Sequence, residues 1–246
     1  MLLGILEVGR VHEDLIAAHG DYPTQFAQMF QSVDPSIEIE VVGVLDGALP
    51  TDPHAVDAWV VIGSKHGVYD PLPWIDPLKA FFRQAREAGV PLIGVCFGHQ
   101  LMAEAFGGKA EKFGGGWACG VHHYALHETP SWIDGSEKQM SMHAMHQDQV
   151  TLLPSDATCL ASSDFCRYAM VSYGDPELPD AISIQPHPEF HVGYARDLLD
   201  MRSGVAVPVE IASPALESLG QDVDNQAFAS WAVAYLRRAL SSRQAA

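Results

Sequence analysis

The chain has 246 residues, 48% of them apolar, with 14 Lys and Arg against 31 Asp and Glu and a formal net charge of −17. That length fits one α/β domain, a field of this sign repels nucleic-acid phosphate and anionic membrane surfaces, and no run approaches the roughly 20 apolar residues that span a bilayer. The first apolar run has no basic flank of the kind a secretion signal carries, so a soluble cytoplasmic protein without nucleic-acid or membrane partners is expected.

In chain order, LLGILEV (2–8) is an apolar run of strand length, and DYPTQFAQMFQSV (21–33) reads as a helix. IEIEVVGV (37–44) alternates and then turns apolar, while AWVVIG (58–63) and VPLIGV (90–95) are continuous and β-branched. Such runs suit strands buried on both faces of a parallel sheet. Between the last two lies WIDPLKAFFRQAREAG (74–89), with Leu78, Phe81, Phe82 and Ala85 at helical spacing. Asp76 is expected to cap this helix, Pro77 to take its first position and Gly89 to close it. Strand, helix, strand makes a βαβ unit with a right-handed crossover.

LMAEAFGG (101–108) reads as a short helix ended by glycines, and the middle of the chain is strand-rich. Its strand-like segments are GVHHYAL (120–126), ATCLASS (157–163), RYAMVSYG (167–174) and AISIQ (181–185). GVAVPVEIASP (204–214) reads as a surface connection, and Asp224 is expected to cap a last helix striped by Phe228, Trp231, Tyr235 and Leu240. No repeat or linker interrupts the chain. The expectation is one domain over 1–246, with a core at about 1–203 and a helical extension at about 214–243. The fold class is α/β: an open, mostly parallel sheet with helices on both faces, plus a small antiparallel strand region.

Of the cysteines at 96, 119, 159 and 166, none forms a C-x-x-C pair. A redox or zinc motif is therefore unsupported, and free thiols are expected. Cys119, Cys159 and Cys166 read as small core residues. Cys96 differs. It stands in IGVCFGHQ (93–100), where a strand ends and a helix begins. G-x-C-x-G at such a junction is the cysteine form of a nucleophile elbow. Its glycines let helix and strand pack closely, and the turn lifts the sulfur to the carboxyl end of a strand, where open parallel sheets bind ligands. The helix N-terminus favours thiolate, and the Phe97 amide can receive an oxyanion formed by attack of the sulfur. A core cysteine in a tight turn is the competing reading unless a base is found.

QPHPEF (185–190) supplies one. His187 and Glu189 stand two apart after an apolar strand, between prolines that favour extended backbone. In extended chain both point to the same side, so the carboxylate can orient an imidazole that faces the thiol.

GVCFGHQLMAEAFGG and QPHPE together resemble the two signatures of the class I glutamine amidotransferases, whose domain is flavodoxin-like. The resemblance implies Cys96 as nucleophile, His187 as base, Glu189 as orienter and Gln100 as a substrate-binding residue. It also implies that IGSKHGVYD (62–70) supplies a second oxyanion amide near Gly63 and Ser64, where Ser64 replaces the more usual Gly. Pro186 stands where the family usually has an aromatic residue. GSKHGVYD, GWACGVHH and HQDQV resemble a stand-alone subgroup related to the amidotransferase domain of GMP synthase and to plant γ-glutamyl peptidases. By the same resemblance His146 and Asp148 lie near the site's mouth; a polar turn is the plainer alternative. Trp117 could line the pocket or simply pack.

The function expected is cysteine-dependent hydrolysis of the γ-amide of glutamine, with ammonia passed to an acceptor. The alternative is a free-standing γ-glutamyl peptidase acting on γ-glutamyl conjugates, and a non-catalytic binding subunit is the third reading. The stretch after Glu189 is too short for an ATP-dependent synthetase domain, and no G-x-x-x-x-G-K-[ST] occurs. Ammonia would therefore go to a separate synthetase subunit. The histidines at 122, 123, 127, 143, 146 and 191 make no metal motif, and no metal or cofactor is expected.

Overall fold

The computed structural model describes residues 1–127, 129–135 and 138–245. Residues 128, 136, 137 and 246, within the expected 1–246 unit, lie outside the described residues. The chain runs β1 (Leu2–Glu7), α1 (Glu13–His19), α2 (Tyr22–Val33), β2 (Glu38–Gly43), β3 (Ala58–Val61), α3 (Ile75–Glu87), β4 (Leu92–Val95) and α4 (Phe97–Ala105). Then come β5 (Lys109–Lys112), β6 (Ala118–Leu126), β7 (Gln139–His146), β8 (Asp148–Leu152), β9 (Ala157–Ser162), β10 (Met170–Tyr173) and β11 (Ala181–Ile184). Three helices end it: α5 (Val192–Arg202), α6 (Val209–Ser218) and α7 (Asn225–Ala245).

Nine strands form one sheet in the order β2-β1-β3-β4-β11-β10-β9-β6-β7, and β5 pairs with β8 in a second. From β2 to β11 every pairing is parallel. From β11 outward the pairings are antiparallel, so the expected antiparallel region continues the same sheet. Every residue of β3, β4 and β11 is buried. Both faces of these strands are therefore covered, which explains why their sequences are continuous apolar runs rather than alternating ones. The order matters for the site. β4 lies between β3 and β11, so three loops far apart in sequence leave the sheet side by side.

Several expectations are corrected. Asp76 does not cap α3; the capping position is Trp74, without a side-chain bond, and Pro77 sits in the first turn, where a missing N–H costs nothing. Gly89 follows the helix at φ 70°, as its closing role requires. The stretch 204–214 is not only a connection, because it contains the start of α6. Ala212 and Ala215 of α6 are buried beside Cys119 of β6, and two alanines and an internal Pro214 gave the helix no clear apolar period. The Asp224 carboxylate accepts from the Ser141 amide at 2.7 Å, tying α7 to β7. Phe228, Trp231 and Tyr235 of α7 belong to the main apolar cluster with Leu3, Val60 and Ile93.

Candidate active site

The site begins with backbone geometry. Cys96 follows β4 and caps α4 with φ 54° and ψ −102°. Among the described residues it alone, apart from glycines, has a positive φ. Such a conformation stores about 1–3 kcal/mol in a residue with a Cβ. The neighbouring glycines explain how the turn fits. A Cβ on Gly98 would lie 2.3 Å from the Val61 carbonyl oxygen of β3, and one on Gly94 would lie 2.4 Å from Met102 Sδ of α4. Only without those atoms can α4 press onto the sheet with Cys96 at the bend.

His187 follows β11, and its amide donates to the His143 carbonyl of β7 at 2.8 Å. Its Nδ1 lies 2.7 Å from Glu189 Oε1. A carboxylate can only accept, so Nδ1 carries the proton and Nε2 is left for the thiol. Phe190 stacks on the imidazole with centroids 4.0 Å apart and planes 10° from parallel, which fixes the ring. Gly63, at the end of β3, marks the meeting point. A Cβ there would lie 3.1 Å from His187 Cε1 and 3.7 Å from Cys96 Cβ. Cys96 and His187 thus approach each other at the end of β3, and both line the same cavity.

Burial works against a charged imidazole here, with the His187 side chain 5% exposed and that of Glu189 0%. The Glu189 carboxylate and the Cys96 sulfur outweigh that burial and push His187 up to about 10. The site therefore favours a protonated imidazole at His187. Burial pushes the Cys119 and Cys166 thiols up to about 12. All four cysteines are free.

The remaining expected residues fall as follows. Gly63, Ser64, Cys96, Gln100 and His187 line one cavity of about 330 Å³. Ser64 Oγ accepts from the His66 amide at 3.3 Å, which shapes the loop after β3. Gln100 is held by the protein, its Nε2 donating to the Asp148 carbonyl at 3.0 Å and to Gln185 Oε1 at 3.1 Å. Phe97 buries its ring against Trp74, with centroids 5.5 Å apart, so its contribution to the cavity is its backbone. Its amide opens α4, where the first N–H groups have no intrahelical acceptor. Trp117, His146 and Asp148 also line the cavity.

Other cavity residues were missed from sequence. Tyr22 reaches the cavity from α2, and its hydroxyl accepts from that of Tyr194 at 2.9 Å. Arg10, Lys112 and Arg202 arrive from β1's end, β5 and α5. No local motif marks these residues; only the tertiary arrangement gathers them. Among the described residues, no group of three or more His, Cys, Asp or Glu side chains is arranged to hold a metal ion.

Residues 50–200 match the family model for glutamine amidotransferase class-I. The chain belongs to the class I glutamine amidotransferase family. Gamma-glutamyl peptidase 5 of Arabidopsis thaliana is 28% identical to this amidotransferase-family chain over 190 residues, covering 74% of the chain and 73% of the relative. One subunit of the glutamine-hydrolyzing GMP synthase of Methanopyrus kandleri is 35% identical over 116 residues, 45% of this chain and 58% of that protein. The crystal structure of a glutamine amido transferase from Methylobacillus flagellatus shares the fold, with a TM-score of 0.75 over 98% of this chain and 94% of that one at 20% identity. The matched span contains Cys96 and His187, which line the cavity, and Glu189, which is bonded to His187 behind it. No helix among the described residues is long and apolar enough to cross a membrane.

Proposed function

We propose that this protein hydrolyses the γ-amide bond of glutamine or of a γ-glutamyl compound through Cys96. The thiolate attacks the amide carbonyl carbon and forms a tetrahedral oxyanion. The Phe97 amide and an amide at Gly63 or Ser64 donate to that oxygen, each worth on the order of 3 kcal/mol. The C–N bond then breaks as His187 passes its proton to the leaving amine. A γ-glutamyl thioester remains on Cys96. Water adds to it with His187 taking a proton, and glutamate leaves as the sulfur is released. Glu189 holds the imidazole in one tautomer and stabilises its charged form. Gln100 shapes the wall that receives the glutamyl part.

One observation carries the proposal: the only strained non-glycine turn among the described residues brings its cysteine to the same cavity wall as an imidazole braced by a buried carboxylate. The two kinds of relative differ in the leaving amine. The similarity to the γ-glutamyl peptidases extends over three quarters of this chain, which favours a conjugate over glutamine alone. A synthetase subunit would be the partner if the leaving group is ammonia. Glutamate release from glutamine, γ-glutamyl amines and γ-glutamyl peptides tests the reading, with Cys96→Ala as the control. Release that persists at full rate in Cys96→Ala removes it.

A further inference from the structure

Phe190, whose ring stacks on the His187 imidazole, belongs to two cavities. One is the candidate active site. The other, of about 440 Å³, is walled by Val192 of α5, the turn 219–223 between α6 and α7, His143 of β7 and Asn225 of α7. It abuts the residues that seat His187, whose amide donates to the His143 carbonyl at 2.8 Å. The hydrolytic mechanism makes no use of this second space.

Two buried acceptors there are unanswered. The Phe190 carbonyl oxygen, which can only accept, takes the His143 Nδ1 proton at 3.1 Å and an Asn225 Nδ2 proton at 2.7 Å. That assigns both side chains: each turns a nitrogen donor to the carbonyl, which leaves His143 Nε2 and Asn225 Oδ1 as acceptors. Both atoms are buried, and neither has a hydrogen-bond partner among the described residues. His143 is 2% exposed, and burial holds its pKa below the ordinary value, so at neutral pH Nε2 keeps a bare lone pair. Buried acceptors without donors are costly and uncommon. Two of them, fixed by one oxygen beside one cavity, call for N–H groups from outside the chain.

Charge and shape narrow the class of ligand. Asp222 adds a carboxylate, and among the described residues no Lys or Arg lines this cavity. His191 lines it with Nδ1 accepting from the Tyr194 amide at 3.2 Å, and burial lowers its pKa too, so it brings no positive charge at neutral pH. An ammonium group carries three N–H donors and one positive charge. It can satisfy both acceptors and face the carboxylate, through charge-assisted bonds that are roughly twice as strong as neutral ones. An anion finds no cation here, and an alcohol brings a single donor. Val192, Leu219 and Val223 supply apolar wall for a short hydrocarbon tail.

We infer that this second cavity is a binding site for a small organic ammonium compound, held by His143 Nε2, Asn225 Oδ1 and the Asp222 carboxylate. The inference goes beyond amide hydrolysis and does not depend on it.

The probe is n-butylammonium chloride, with 1-butanol as an uncharged counterpart of similar shape. Nitrogen NMR on protein labelled with ¹⁵N in its histidine rings reads the site, because a lone-pair nitrogen moves upfield when it accepts a hydrogen bond. The His143 Nε2 signal is expected to move saturably with butylammonium. Half of that effect should need at least about tenfold more 1-butanol. Asp222 is exposed, so its variants should fold. Asp222→Asn should weaken butylammonium binding about threefold, and Asp222→Lys should abolish it. None of these readings requires turnover, so a failure of the hydrolytic reading leaves them untouched. A His143 Nε2 signal that stays put as butylammonium is raised, equal response to the ammonium and the alcohol, or undiminished binding in Asp222→Lys overturns the inference.

Discussion

Glu189→Gln removes one charge and keeps the shape. Its effect can be sized from the geometry. Oε1 lies 2.7 Å from His187 Nδ1, both side chains are buried, and Oε2 has no hydrogen-bond partner among the described residues. The carboxylate's charge is therefore directed at the imidazole. An opposite charge this close shifts a titration by about 1–3 pH units, and one unit is about 1.36 kcal/mol. Losing it should cost the imidazolium about 1–4 kcal/mol. If the imidazolium forms on the way to the thioester, kcat/KM falls about tenfold to a thousandfold. Steady-state glutamate release across pH measures that. Stability supplies an independent reading. A folded-state value raised from 6.5 to about 10 contributes stability that is whole below pH 6.5 and lost as pH climbs through about 10. Urea midpoints should therefore separate the two proteins more at pH 6 than above pH 10. Unchanged kcat/KM together with an unchanged pH profile would refute the role given to Glu189.

Cys96→Gly should be more stable than Cys96→Ala by about 1 kcal/mol, because glycine adopts the φ of 54° freely and alanine does not; equal melting temperatures would deny the strain. Gly98→Ala places a methyl 2.3 Å from the Val61 carbonyl and should cost about 1–3 kcal/mol, with activity falling as Cys96 shifts. A melting point and rate like those of the parent would contradict that packing account. His99 is fully buried beside Ser183, and burial holds it down at about 3, as it does His146. Since the unfolded chain takes up those protons near pH 6.5, stability is whole above that pH and falls as pH drops toward 3. The slope is about 1.4 kcal/mol per pH unit for each histidine. Denaturant midpoints between pH 7 and 4.5 test it, and His99→Asn should flatten the slope; an identical slope counts against the assignment.

The parallel half of the sheet was legible because each buried strand is an unbroken apolar run, and the elbow because Gly94, Cys96 and Gly98 occur together for a steric reason. The pairing of His187 with Glu189 followed from extended backbone between prolines. Other features had no local signal. β7 mixes methionines and histidines, and β8 begins at the polar Asp148. α6 draws its helicity from packing on β6 rather than from an apolar period. The active-site cavity's cations come from separate elements, so only the sheet order brings Lys65, Lys112 and Arg202 together. Tyr22 reads from sequence as an ordinary helix-start aromatic, and its place on the cavity wall depends on how α2 packs against the α5 residue Tyr194.

The central claim is that a covalent γ-glutamyl group forms on one sulfur. Rapid acid quench during turnover, followed by peptide mass spectrometry, reads it directly. One γ-glutamyl adduct is expected on the peptide containing Cys96, vanishing in Cys96→Ala. Turnover with no adduct at Cys96, or an adduct on Cys119, Cys159 or Cys166 in its place, would contradict it.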